Sequence, residues 1–279
     1  MYSTEPTPSI FDDTEFAAPE INAYPSLKQL WILFIIFFGG LFIVNASLGL
    51  FAGITHRAIP EIYQFIGPLN LVLYLLIAAF TYREKKKYEP DYKPSFAMPP
   101  LTVLLLLTLI TPALTIAFTG ISAWLHVNTW VMVMHKPFLY FPDNPLIIFF
   151  TFAGLTLLET LIIRGILLDG LLKRYRPAVA ILNCVLFISI MGIKPALILF
   201  YIFIHLLQNW VYYYTRSLLP GIWVTIVGLV FALLVFKSEW EELFAEGYVP
   251  TVVTALAVLA IGGLLLQKIF LSTFKKSII

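Results

Sequence analysis

The sequence predicts an all-α integral membrane protein, a polytopic helical bundle of about eight transmembrane helices, and three observations carry that reading. The 279 residues are 60% hydrophobic and only 12% charged, with a mean hydropathy of +0.89. Soluble domains run about 45–50% apolar and about 25% charged, so the polar surface of a soluble enzyme is missing. The apolar residues gather into runs close to the ~20 residues a helix needs to cross ~30 Å of hydrocarbon. Lysine and arginine fall at the ends of alternate runs, as they do in chains threaded back and forth across a bilayer. The 24 Phe, 14 Tyr and 6 Trp exclude a disordered chain, and a formal net charge of +2 gives no electrostatic reason to expect nucleic acid.

The first span is expected at about 30–50 and the second at about 63–82, separated by the polar turn Thr55-His56-Arg57 and Pro60. The third runs over about 101–123. The fourth, about 145–172, contains Glu159, Arg164 and Asp169. The fifth, sixth and seventh, about 177–193, 195–215 and 217–236, are short and tightly linked, and the eighth covers about 249–267. Pro100, Pro145, Pro177, Pro195, Pro220 and Pro250 stand at or near helix starts, where a missing N–H costs nothing.

Arg83, Lys85, Lys86, Lys87 and Lys93 follow the second span, Lys173, Arg174 and Arg176 the fourth, Arg216 the sixth, and Lys275 and Lys276 the eighth. Every even-numbered span ends in positive charge, so both termini are expected in the cytoplasm. Residues 1–27 read as a disordered acidic cytoplasmic tail without the basic start of a signal peptide, and 28–279 as a single transmembrane domain. Between the third and fourth spans, residues 124–145 mix Trp130, Tyr140 and Phe141 with His126 and His135, a composition suited to the outer interface. The lone Cys184 permits no intrachain disulfide and no cysteine cluster for zinc.

Ionisable groups inside a membrane are costly and mark function first. At 1.5 Å per residue, Glu159 lies roughly 18 Å from the basic end of its span, Arg164 roughly 10 Å, His205 roughly 15 Å and Asn209 roughly 9 Å. Asn183 stands at a depth similar to Arg164. Two polar layers are expected: Glu159 with His205, and Arg164 with Asn183 and Asn209. The bland alternative is that these residues only join helices through interhelical hydrogen bonds. Asp169 and Lys173, four apart, read as an interface pair.

Leu158-Glu159-Thr160-Leu161-Ile162-Ile163-Arg164-Gly165 resembles the first motif of the CPBP family, the CAAX prenyl proteases and bacteriocin-processing (Abi) proteins, in which Glu-Glu-x-x-x-Arg precedes Gly. Downstream, Phe187 stands where the family has Phe-x-x-x-His. Tyr213-Tyr214-Thr215-Arg216-Ser217-Leu218-Leu219-Pro220 looks like the turn before its His-x-x-x-Asn helix, so the similar core covers about 145–236.

The resemblance implies intramembrane peptide hydrolysis, with a glutamate as base and two histidines holding a metal or directing water. Carried across, Glu159 matches the base and Arg164 the orienting arginine. Thr160 replaces the second Glu, Met191 and Thr225 replace the two His, and Leu229 replaces the Asn. A catalytic zinc commonly takes three imidazole or carboxylate ligands, so the family's metal site is expected to be absent and no cofactor is expected. His205 and Asn209 copy the His-x-x-x-Asn spacing on a neighbouring span.

The leading expectation is therefore a CAAX protease-like membrane protein, a pseudoenzyme that binds a membrane peptide, a prenylated or lipidated protein, or a membrane-complex subunit in the bilayer. One alternative is an active endopeptidase using Glu159 with His205, for which zinc would return as a cofactor. Another is a transporter or proton path. A bacterial inner membrane is the expected location.

Overall fold

A computed structural model describes residues 23–56, 59–124, 145–191, 195–236 and 248–273, and all the regular structure among them is helical. Eight rods follow in chain order: α1 (Leu27–Thr55), α2 (Ile59–Tyr88), α3 (Leu101–Trp124), α4, α5 (Pro177–Met191), α6 (Pro195–Thr215), α7 (Leu219–Phe236) and α8 (Val249–Thr273). The rod α4 is composite, α-helical over Pro145–Thr160, a π-helix over Leu161–Leu168, and α-helical again over Asp169–Arg174.

Among the described residues, four helical stretches are by themselves long and apolar enough to cross a membrane: Leu27–Thr55, Phe65–Tyr88, Leu101–Trp124 and Val249–Thr273. Their outward side chains, among them Ile35, Phe42, Leu50, Leu76 and Leu264, are largely exposed and form a surface suited to lipid. The chain is an integral membrane protein of polytopic helical build. The remaining rods are shorter or, in α4, carry charge, and they too expose apolar side chains such as Leu182, Leu199 and Leu234.

Two apolar cores hold the rods together. One joins α1, α2, α4 and α5 through Leu30, Phe37, Ile77, Ile163, Ile166 and Phe187. The other joins α3, α6, α7 and α8 through Val103, Leu107, Val211, Val224, Leu266 and Phe270. Small residues let α3 and α8 approach closely: a Cβ on Gly120 would stand 2.1 Å from Val252 Cγ2. Lipid supplies no hydrophobic drive between helices, so such close packing is what holds them.

Helix α1 starts in a capping box. Gln29 N–H donates to Ser26 Oγ at 3.3 Å, and Ser26 N–H donates to Gln29 Oε1 at 2.8 Å. Just ahead of it Ala23 and Tyr24 are buried, so the final residues of the stretch expected as a free tail are docked. Arg174 donates to Ala23 O at 3.0 Å, and Tyr24 O stands where a Cβ on Gly170 would be. Residues 1–22, most of the expected tail, lie outside the described residues. So do most of the expected interface segment, 125–144, and the acidic stretch from Glu239 to Glu246.

Candidate functional site: a polar cluster between the two cores

The site forms where α4, α6 and α7 meet. In an α-helix, positions five apart are rotated by about 140°, which would turn Arg164 away from Glu159. The π-helix at Leu161–Leu168 reduces that offset, because i→i+5 bonding widens the turn that carries Arg164. The Arg164 side chain accordingly reaches back, and its Nη1 lies 3.0 Å from Glu159 Oε1. Its Nη2 lies 2.7 Å from His205 Nδ1 and also donates to Gln208 Oε1, both on α6.

Gln208 carries the cluster onward to α7. Its Nε2 donates to Gly221 O and to Thr225 Oγ1, each at 3.3 Å. Arg164, His205 and Gln208 are buried, whereas the Glu159 side chain keeps 30% of its surface exposed. Three helices are thus tied by one guanidinium and one amide, at a depth where a stranded charge is costly. The His205 ring stacks on Tyr201 with centroids 5.9 Å apart, which fixes its plane.

Guanidinium has only donors, so His205 Nδ1 faces a donor in Arg164, and it faces an acceptor in Gln208 Oε1 at 3.1 Å. His205 Nδ1 is also 4.0 Å from Glu159 Oε1. Glu159 and His205 therefore meet as expected, but the two polar layers do not form. The π turn moves Arg164 into the layer of Glu159 and His205.

The other expected partners of Arg164 are elsewhere. Asn183 Oδ1 accepts from Trp31 Nε1 on α1 at 3.2 Å, a structural link between α1 and α5. Asn209 is fully buried, and neither its Oδ1 nor its Nδ2 has a partner among the described residues. The residue that the sequence reading overlooked is Gln208. Its signal was a long polar side chain three positions after His205, on the same helical face in an apolar run.

The substituted motif positions have plain surroundings. Thr160 is buried with its Cγ2 3.3 Å from the place of a Cβ on Gly221, so it fills the α4–α7 contact. Thr225 is spent on Gln208 and on Gly221 O. Leu229 is half-buried on α7, and Met191 ends α5, its side chain outside the described set. The retained Phe187 is a core residue, edge-on to Phe34 with ring centroids 5.6 Å apart.

Among the described residues, the donors near the cluster do not make a zinc site. No group of three or more His, Cys, Asp or Glu that could hold a metal occurs among the described residues. The two nearest donors, Glu159 and His205, already share a cation, the Arg164 guanidinium.

At one end of the bundle lies an ion network around Asp169. Lys85 Nζ is 2.9 Å from Asp169 Oδ2 and from Glu89 Oε1, Lys173 Nζ is 3.0 Å from Asp169 and 2.6 Å from Glu89, and Arg216 Nη1 is 3.7 Å from Asp169. The expected Asp169–Lys173 pair is present as one edge of this larger network. A cavity of about 700 Å³ opens beside it, walled by Tyr92, Lys93, Tyr212 and Arg216.

No curated protein and no solved structure matches the chain. A family model does match, over residues 141–227, the stretch that supplies Glu159, Arg164, His205, Gln208 and Thr225. Residues 141–227, with the Glu-x-x-x-x-Arg pair on α4 and its partners on α6 and α7, are thus similar to the family described as type II CAAX prenyl endopeptidase Rce1-like.

Proposed function

We propose that this chain is a CAAX protease-like membrane protein that binds at its polar cluster without hydrolysing peptide bonds. The observation that carries the reading is the place of Arg164, whose guanidinium stands between the carboxylate and the imidazole and lies against Nδ1. A base must have a free lone pair within reach of the proton it abstracts. His205 Nδ1 is enclosed by Arg164 and Gln208, and the Glu159 carboxylate, tied to Arg164 on one oxygen, keeps a partly exposed side chain for a donor on a ligand. That combination suits capture of a membrane peptide, a prenylated or lipidated protein, or a subunit of a membrane complex, with no bound cofactor. A bacterial inner membrane with both termini cytoplasmic suits the distribution of Lys and Arg.

The second reading is an endopeptidase in which Glu159 and His205 activate water together, and the 4.0 Å between Nδ1 and Oε1 favours it. Purified protein in liposomes, assayed for metal content and for cleavage of a prenylated peptide, separates the two. The binding reading expects no stoichiometric zinc, no cleavage, and retention of the peptide that weakens with Glu159→Ala. Cleavage abolished by both Glu159→Ala and His205→Ala would overturn it.

A further inference from the structure

The π turn that aims Arg164 is closed by a hydrogen bond from outside its own helix. In a regular helix the Asp169 N–H would donate to Gly165 O, four residues back. Here it donates to Arg164 O and Ile166 O instead and passes over the carbonyl between them. That carbonyl is taken by Tyr92, whose hydroxyl donates to Gly165 O at 2.7 Å. Burial holds the Tyr92 hydroxyl above its usual range, with Asp169 and Glu89 adding to the shift, so it stays a donor at neutral pH.

Tyr92 belongs to the connection between α2 and α3, and that connection is fastened at both ends of its reach. The Lys85 ammonium lies 5.0 Å from the Tyr92 ring centroid, and the Tyr82 ring packs 6.0 Å away. Further along, Leu218 N–H donates to Ser95 O at 2.9 Å and Ser217 Oγ donates to Ala97 O at 2.6 Å, both from the turn just before α7. One strand of chain therefore grips α4, which carries Glu159 and Arg164, and α7, which carries Thr225.

We propose that Tyr92 is a positioning residue for the intramembrane cluster: by taking the Gly165 carbonyl it holds the π turn open and keeps Arg164 turned toward Glu159 and His205. Gly165 fits the same account. A Cβ there would stand 3.1 Å from Tyr92 Oη and 3.3 Å from Leu161 Cδ1, so a side chain would press on the hydroxyl that closes the turn. The inference concerns the geometry of the cluster and holds whether the site binds or cleaves.

The test is Tyr92→Phe in the full chain, which deletes the hydroxyl and leaves the ring on Lys85 and Tyr82. With histidine ¹⁵N-labelled and His205 assigned through His205→Asn, the Nδ1 resonance of His205 is expected to move as its Arg164 donor is lost, while that of His56 stays in place. The Asp169 amide resonance is expected to shift as its acceptor changes from Arg164 O to the freed Gly165 O. Tyr82→Phe, which touches the same ring without the hydrogen bond, should leave both unchanged. Gly165→Ala should reproduce the His205 shift alone and add nothing in the Tyr92→Phe background, and it serves as the test if Tyr92→Phe does not fold. A His205 resonance unmoved in both variants overturns the proposal. So does a change shared equally by His56 and by amides throughout the bundle, which would mark Tyr92 as a general structural residue.

Discussion

Arg164 stands between Glu159 and His205, with Nη1 3.0 Å from the carboxylate and Nη2 2.7 Å from the imidazole nitrogen. Removing one partner of a buried ion pair costs on the order of 3–5 kcal/mol, because the other charge is stranded. The two single variants should differ. Glu159→Gln strands a guanidinium that is 1% exposed and falls at the upper end, whereas Arg164→Met strands a carboxylate that keeps 30% of its surface and falls at the lower end. The double variant should recover at least about 1 kcal/mol over the sum of the singles. Unfolding in detergent micelles measures all three, and strict additivity would rule out the pairing.

Gln208 and Asn209 are neighbours on α6 with opposite expectations. Gln208 accepts from Arg164 and donates to Gly221 and Thr225, so Gln208→Leu removes hydrogen bonds to both adjoining helices and should cost about 2–3 kcal/mol. Asn209 has no partner for either side-chain atom among the described residues, so Asn209→Ala trades an unsatisfied amide for a small void and should stay within about 1 kcal/mol of the parent. Melting temperatures in one detergent decide it, and a larger loss for Asn209→Ala than for Gln208→Leu would reverse the assignment.

The membrane class was legible because charge scarcity and long apolar runs are properties of composition, independent of how the rods pack. Glu159, Arg164 and His205 were legible as a group because intramembrane ionisable residues are rare and must find one another. Their layering was not, because the α-helical rise sets the expected depths and nothing in Leu161–Leu168 announces a π turn. Spacing from His205 favours Asn209 over Gln208. One position on a helix is about 100° of rotation, and only the placement of α4 and α7 decides which of the two faces the site. The docking of Ala23 and Tyr24 was hidden for a related reason, since it depends on a glycine distant in sequence, Gly170.

That docking is testable at Gly170 itself. A Cβ there would lie 1.8 Å from Tyr24 O and 2.5 Å from Tyr24 C, backbone atoms that cannot swing aside as a side chain would. Gly170→Ala should therefore lift the segment ahead of α1 and release the contacts of Ala23 O with Arg174 and of Tyr24 O with Lys85. The expected cost is about 1–3 kcal/mol, with faster proteolysis just before Leu27. Cleavage there at the parent rate, followed by mass spectrometry, would mean that the segment is held some other way.

Two adjacent glycines on α8 make the sharpest packing test. A Cβ on Gly262 would meet Ile110 Cγ1 at 2.7 Å and Cδ1 at 3.0 Å, across the tight α3–α8 contact, whereas one on Gly263 meets nothing within 4 Å. Alanine in a helix interior is favoured over glycine by roughly 0.5–1 kcal/mol through backbone entropy alone. At Gly263 that gain is unopposed, so Gly263→Ala should stabilise by about that amount. At Gly262 the clash must be relieved by moving Ile110, which packs in the core of α3, and overpacking of this kind costs about 1–3 kcal/mol, more than the entropy returns. Gly262→Ala should therefore lower the melting temperature while Gly263→Ala raises it. Equal shifts of one sign would show that α3 and α8 do not meet along this face.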